Sequence, residues 1–247
     1  MMYISVVSHG HGEIISRLNT LSILSTKHEI ILTDNVGEMK LKNYCLENGI
    51  HYIFNEIPKG FGENNNQNYK YAEEKLGMIS HDYFLVMNPD VKITSESLAE
   101  AERIMAINKA ELATINLYKT ENELDANIRK FPKIFDFIKS YIYRENNTIL
   151  DKKMITDNCY VDWASGSFLI FKSKLYKEIA GFDTKFFMYC EDLDICRRAL
   201  TKAKQKVLYI GSVKAMHIAA HNNRKFFSKH FIWHVKSVLR YCFLTKY

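Results

Sequence analysis

The sequence predicts an α/β fold: a mostly parallel central sheet with helices on both faces, followed by a C-terminal basic amphipathic helix. Three observations predict it. Short β-rich runs alternate with helix-period segments through the first half, as in sheets whose parallel strands are joined by crossover helices. Polar clusters follow successive strands, along the rim where such sheets bind ligands. The last stretch, from Asn222 on, is basic and helical in period, with no acidic residue.

Taken in order, Tyr3 to Val7 is a β-rich run ending in Ser8-His9-Gly10. Ile14 to Leu24 has helical spacing, with Ile14, Leu18, Leu21 and Leu24 apolar. Glu29 to Thr33 is a second strand closed by Asp34-Asn35, Leu41 to Leu46 a short helix and His51 to Phe54 a third strand. Lys59-Gly60-Phe61-Gly62 is a turn before a helix over Asn64 to Leu76. Asp82 to Met87 is a fourth strand ending in Asn88-Pro89-Asp90; a helix over Ser95 to Ile107 and a strand over Leu112 to Leu117 follow. From Phe131 to Asp157 the pattern turns aromatic, with Phe135, Phe137, Ile138 and Tyr141 in a partly amphipathic segment. A core helix is the plainer reading; a surface patch receiving a lipid or a partner is the alternative. Val161 to Ser167 then precedes an apolar strand, Phe168 to Phe171, and two further strands are expected at Val207 to Ile210 and Val213 to Met216.

A length of 247 residues suits one large domain or two closely joined lobes, and 47% hydrophobic with 25% charged residues is ordinary for a globular protein. No uncharged apolar run is long enough to span a bilayer, and the start of the chain does not read as a secretory signal. Five cysteines without a CxxC pair suit a reduced, cytoplasmic setting. Cys190 and Cys196 with His217 and His221 could suggest zinc, and the His spacing fits, but the gap between the two cysteines is wider than in a usual site. Beyond Asp194 there is no acidic residue, whereas residues 195–247 hold twelve Lys and Arg; the net charge of +6 therefore conceals a first part at −6. Phe227, Phe231, Val235, Val238 and Phe243 fall roughly on one face of a helix over Asn222 to Tyr247. An apolar face beside basic residues favours an anionic membrane surface. No motif of a nucleic-acid-binding fold is present, so no nucleic-acid partner is expected.

The chemistry concentrates in Gly181 to Arg198, where Glu191, Asp192 and Asp194 follow an aromatic run. Carboxylates behind a hydrophobic wall need a partner or a task. Asp194 has one in Arg198, four residues on; Glu191 and Asp192 are kept for chemistry. Each polar cluster after a strand reads singly as turn chemistry, but three on one rim point to a ligand.

With these residues in view, the chain resembles the family 2 inverting glycosyltransferases. The resemblance runs from Tyr3 to about Tyr241 on SVVSHG, Asp34-Asn35, GFGENNN at 60–66, MNPD at 87–90, DWASGSF at 162–168 and GFDTKFFMYCEDLD at 181–194. It is strongest toward bacterial O-antigen rhamnosyltransferases that act on N-acetylglucosaminyl-diphospho-undecaprenol. The resemblance implies a GT-A fold over residues 1–221, with a nucleotide-binding half at 1–118, an acceptor-binding half at 119–221 and a membrane-associating helix at 222–247. It implies a dTDP-L-rhamnose donor, a polyprenyl-diphosphate-linked acceptor and a Mg²⁺ or Mn²⁺ cofactor, at the inner face of the cell membrane. Ser8, His9, Asp34, Asn65, Asn88 and Arg224 would then bind the donor. Asp90 and His217 would hold the metal, with His221 competing for the second place. Asp192 would be the general base, Glu191 would position it or the acceptor, and Trp163 would stack on the acceptor sugar, with Gly166 leaving room. Asn88 stands where the family's Asp-x-Asp motif has its first acid.

Overall fold

The computed structural model describes residues 1–143, 146–155, 157–218 and 229–244. In the first half β1 (Met2–Ser8), β2 (Glu29–Asp34), β3 (His51–Phe54) and β4 (Tyr83–Met87) alternate with α1 (Gly12–Leu18), α2 (Thr20–Leu24), α3 (Met39–Glu47) and α4 (Phe61–Lys75). Then come β5 (Val91–Lys92), α5 (Ser95–Ile107), β6 (Leu112–Thr120), β7 (Glu123–Leu124), β8 (Ile128–Arg129) and α6 (Ile134–Ile142). β9 (Cys159–Val161), β10 (Trp163–Ala164), β11 (Phe168–Lys172) and α7 (Ser173–Glu178) lead to α8 (Glu191–Ala203), β12 (Val207–His217) and α9 (Lys229–Leu239). Among the described residues no helix is long and apolar enough to cross a membrane.

The main sheet runs β3-β2-β1-β4-β11-β6-β12-β5. Its first four strands are parallel, as expected. Its second half is mixed, because β11 runs antiparallel between β4 and β6 while β12 returns parallel to β6. β11 is reached through the long excursion over residues 121–167, not a single crossover helix, so its direction is not set by a βαβ unit. The carboxyl ends of β1, β2, β4 and β12 and the start of β11 therefore share one rim. Apolar side chains fill both sides of the sheet, Ile4, Leu85 and Ile170 on one and Phe84, Phe171 and Tyr176 on the other.

Three local expectations are corrected. The helix expected over Ile14 to Leu24 breaks in two at Asn19, whose φ of 53° puts it in the left-handed region, a conformation Asn tolerates better than most residues. The two strands expected after residue 206 are one, β12; Gly211 and its neighbours form a bulge between Ile210 and Lys214 in the pairing with β6. The aromatic segment forms α6, but its apolar stripe faces outward: Phe135 is 70% exposed, and Ile134 and Ile138 are exposed beside it.

The C-terminal segment also differs from the amphipathic helix expected over Asn222 to Tyr247. Residues 222–228 and 245–247 lie outside the described residues. α9 begins at Lys229 and continues into a wide turn over Arg240–Leu244. Its apolar residues divide between two faces. Trp233 packs on Phe187 with ring centroids 4.8 Å apart, and the Ser237 hydroxyl donates to the Met188 carbonyl at 2.9 Å. Arg240 pairs with Asp183 at 2.9 Å. The tail thus clamps the loop that leads into Glu191. From the other side that loop rests on Gly60: Phe61 N–H donates to the Phe187 carbonyl at 3.1 Å, and a Cβ on residue 60 would collide with that oxygen.

Candidate active site

The metal-ligand candidates meet through strand register. Pairing of Val91 with His217 and the bond from Ile218 N–H to the Asp90 carbonyl at 3.0 Å bring the end of β12 beside the Asn88-Pro89-Asp90 turn. His217 Nε2 lies 3.4 Å from Asp90 Oδ1 and 3.2 Å from Asn88 Nδ2. Its Nδ1 lies 2.7 Å from Asp125 Oδ2. Burial alone would lower the His217 pKa, but the hydrogen bond to Asp125 and the neighbouring Asp90 carboxylate outweigh it and hold the value up at about 9. Burial likewise works against the Asp125 carboxylate, yet the His217 hydrogen bond holds its pKa below the ordinary range. Asp90 Oδ1 is buried and makes no hydrogen bond among the described residues. An unsatisfied carboxylate oxygen facing an imidazole nitrogen fits a divalent cation. Among the described residues no three such groups close a complete site. Two groups of this kind fit a hard divalent cation only when further ligands come from elsewhere.

The carboxylate pair sits at the start of α8. Tyr189 and Cys190 both adopt left-handed backbone, with φ of 71° and 62°, and so turn the chain sharply into the helix. Asp192 Oδ2 accepts the Gly166 N–H at 3.1 Å and Oδ1 the Leu193 N–H at 2.8 Å. Burial raises the Asp192 pKa, while these two N–H groups and the Arg129 charge oppose the rise. Glu191 is 7% exposed with Oε2 unbonded; burial and then the Asp192 charge outweigh the pull of its own backbone N–H and push it well above the usual carboxylate range. Burial thus favours the protonated form at both carboxyls, more strongly at Glu191 than at Asp192. Asp194 pairs with Arg198 at 2.7 Å, as its spacing implied.

The raised Glu191 pKa predicts a pH signature in stability. A carboxyl whose folded pKa is raised stabilises the fold below its unfolded pKa of about 4.3, and that contribution is lost as pH rises toward the folded value. Glu191→Gln keeps the shape and has no proton to lose. Thermal melts between about pH 4.5 and 8 are expected to show the variant gaining steadily on the wild type. A constant difference across that range would contradict the assignment.

The two corners are joined. Asn88 N–H donates to the Ser167 carbonyl at 3.0 Å, and the adjacent Gly166 holds Asp192. Gly166 therefore does not leave room for a sugar as expected: a Cβ there would stand 2.9 Å from the Phe61 ring, and its backbone approaches Asp192 instead. Trp163 differs as well. It is 8% exposed, its indole N–H donates to the Lys130 carbonyl at 2.9 Å and the Arg129 guanidinium lies 5.3 Å over its ring. It is a supporting wall for Arg129 and offers little open face for stacking.

The expected donor-binding residues divide. His9 is exposed on the rim. Ser8 is buried; its hydroxyl accepts the His11 N–H at 3.1 Å. Asp34 is buried too, and its carboxylate accepts the N–H groups of Val36, Gly37 and Glu38 and the Tyr52 hydroxyl. It shapes the turn after β2 and has no free side toward a nucleotide. Asn65 faces the sheet, accepting from Ser5 at 2.6 Å, and with Asn68 ties α4 to β1. Arg224 and His221 lie outside the described residues. Sequence reasoning missed Asp125 and Arg129, which carry no local motif; long-range pairing alone brings them to the site. It also left His11 unassigned, whose pKa is lowered by burial against the pull of the Asp90 carboxylate.

No protein-family model matches the chain. It is 37% identical over 245 residues to rhamnosyltransferase WbbL of Escherichia coli (strain K12), an alignment that covers 98% of this chain and 92% of that protein. Over 85 residues, 34% of this chain and 27% of the relative, it is 37% identical to the N-acetylglucosaminyl-diphospho-decaprenol L-rhamnosyltransferase of Mycobacterium tuberculosis (strain ATCC 25618 / H37Rv). Among solved structures, GalNAc-T7 with UDP, GalNAc and Mn²⁺ superposes with a TM-score of 0.68 at 12% identity, over 98% of this chain and 47% of that one. S. aureus TarS 1-349 in complex with UDP-GlcNAc gives 0.62 at 13% identity, over 97% and 64%. At those identities the likeness is one of fold.

Proposed function

We propose, from the premise that the chain belongs to the rhamnosyltransferase family that includes WbbL and is a GT-A glycosyltransferase, that it transfers L-rhamnose from dTDP-L-rhamnose to a polyprenyl-diphosphate-linked sugar, N-acetylglucosamine, in surface-polysaccharide assembly. The named acceptor of the mycobacterial relative supports that choice of lipid-linked sugar. The first half, 1–118, serves the donor and residues 119–221 the acceptor. The reaction takes place at the cytoplasmic face of the membrane, where the tail provides a peripheral anchor.

One observation carries the reading. The Asp192 carboxylate, fixed by two backbone N–H groups beside Glu191, shares a rim with the Asp90–His217 pair. A nucleophilic hydroxyl must lose its proton as it attacks, and in this reading Asp192 accepts it. Attack from the face opposite the departing diphosphate inverts the anomeric centre. Asp90 and His217 would hold Mg²⁺ or Mn²⁺, whose chemistry when bound is to neutralise charge on diphosphate oxygens. Asp125 keeps the His217 ring turned toward Asp90.

A donor screen tests this. With a lipid-diphosphate-N-acetylglucosamine acceptor and Mn²⁺ or Mg²⁺, mass spectrometry is expected to show one deoxyhexose gained from dTDP-rhamnose. Transfer only from UDP-galactofuranose, UDP-glucose or UDP-N-acetylglucosamine would overturn the donor and keep the mechanism. Donor binding without transfer from any of them would leave a non-catalytic sugar-nucleotide module.

A further inference from the structure

We propose that the groove between α6 and the C-terminal helix is the subsite for the isoprenoid diphosphate of the acceptor; this rests on the lipid-linked acceptor reading above. The groove encloses about 330 Å³ between Pro132–Ile134, Arg197 and Tyr241–Phe243. Its polar and apolar parts are separate. Lys133 and Arg197 supply positive charge, and among the described residues no acidic side chain lines it. Ile134 and Phe243 supply apolar wall and are 37% and 65% exposed.

The surroundings extend the same division. Ile134, Phe135 and Ile138 on α6, and Ile232, Val235, Leu239 and Phe243 on the tail, present exposed apolar side chains. The tail set recurs at intervals of three and four residues, one face of a helix. That face is not exposed for want of packing, because the opposite face is already used. Ser237 and Trp233 clamp the loop before Glu191, and Tyr241 accepts from Arg197 at 2.6 Å and meets Phe137 at 6.1 Å. Two helices that adjoin through Phe137 and Tyr241 thus turn apolar stripes to solvent on either side of a cationic groove. Single exposed apolar residues are ordinary, but a continuous patch marks a binding surface.

Position relative to the chemistry selects the occupant. Arg129 lies over Trp163, and its charge acts on Asp192. From Arg129 the chain runs directly to the groove, fixed by the Lys130 carbonyl on Trp163 and by Phe131 N–H on Asp162 at 2.9 Å, while Arg197 sits 5.2 Å from the Phe131 ring. Four residues of extended chain reach at most about 14 Å, the scale of a hexose and its diphosphate. A sugar whose hydroxyl faces Asp192 would therefore place its diphosphate among Arg129, Lys133 and Arg197, and its hydrocarbon chain along Ile134 and Phe243. An anionic bilayer surface would account for the apolar stripes and the basic residues, but not for a groove that the chain joins directly to Arg129 and Asp192.

The test uses the full-length chain and two acceptors with the same N-acetylglucosaminyl diphosphate head. One carries a long isoprenoid chain in neutral detergent micelles, the other a short water-soluble alkyl chain. The ratio of kcat/KM for long over short is compared between wild type and the double variant Ile134→Ser, Phe243→Ser; both side chains are exposed, and thermal melts check that the fold is kept. A fall in that ratio of about 10-fold or more supports the subsite. An unchanged ratio overturns it, including the case in which the variant loses only its binding to phosphatidylglycerol vesicles, since the groove would then serve general membrane docking. If the wild type uses neither acceptor, the acceptor reading itself has failed, and calorimetry with farnesyl diphosphate decides the groove: binding lost in the double variant supports it, and binding absent from the wild type or equal in both overturns it.

Discussion

Asp192→Asn is expected to lower turnover by about 10²- to 10⁴-fold at saturating donor and acceptor, the range for removal of a general base. The substitution keeps the size of the side chain, but an amide is no base at any working pH. It also sets an NH₂ group against one of the two backbone donors, Gly166 N–H or Leu193 N–H, that now hold the carboxylate. Donor affinity, measured apart from turnover, is expected to stay within a few fold, since the proposed base acts on the acceptor hydroxyl. Turnover close to wild type would remove Asp192 from the mechanism. The same account sets the pH dependence of the wild type: because burial raises the Asp192 pKa, the acid limb of kcat is expected above the ordinary Asp value of about 3.9.

The second large effect is expected at a residue that never touches substrate. Asp125→Asn should weaken Mn²⁺ binding in the presence of dTDP by about 10- to 100-fold, the usual cost of losing the carboxylate behind a metal-binding histidine. With Asp125 accepting from Nδ1–H of His217, Nε2 is the nitrogen that faces Asp90, and its lone pair becomes available when a metal displaces its proton. An amide can present its NH₂ to Nδ1 and so favour the tautomer that puts the proton on Nε2. Mn²⁺ titration followed by electron paramagnetic resonance reads this directly, apart from turnover. Unchanged Mn²⁺ affinity would leave Asp125 a purely structural partner of His217.

The parts of this protein legible in its sequence are those set by local pattern. The alternating first half was readable because β-rich runs and helix-period segments sit next to each other, and Glu191-Asp192 was readable because acids behind an aromatic run need a reason. The rest depends on what each side chain meets once the chain has folded. Asp34 and Asn65 have the residue types of ligand contacts, but short polar side chains satisfy buried backbone and hydroxyl groups equally well, and only the fold shows which way they turn. Asp125 and Arg129 sit in an unremarkable polar stretch and reach the site through the β7 hairpin and the β8–β10 pairing. The apolar residues of the tail defeat a one-face reading because both faces are employed, one on the loop before α8 and the other outward.

The central claim is a single displacement in which Asp192 deprotonates the attacking hydroxyl. The most direct measurement is the anomeric configuration of the first product, read by nuclear magnetic resonance before any secondary hydrolysis. The account predicts a glycosidic bond of configuration opposite to that in the nucleotide sugar. Retention would contradict it, since it would require an intermediate on the reverse face of the sugar for which the Glu191–Asp192 arrangement assigns no nucleophile.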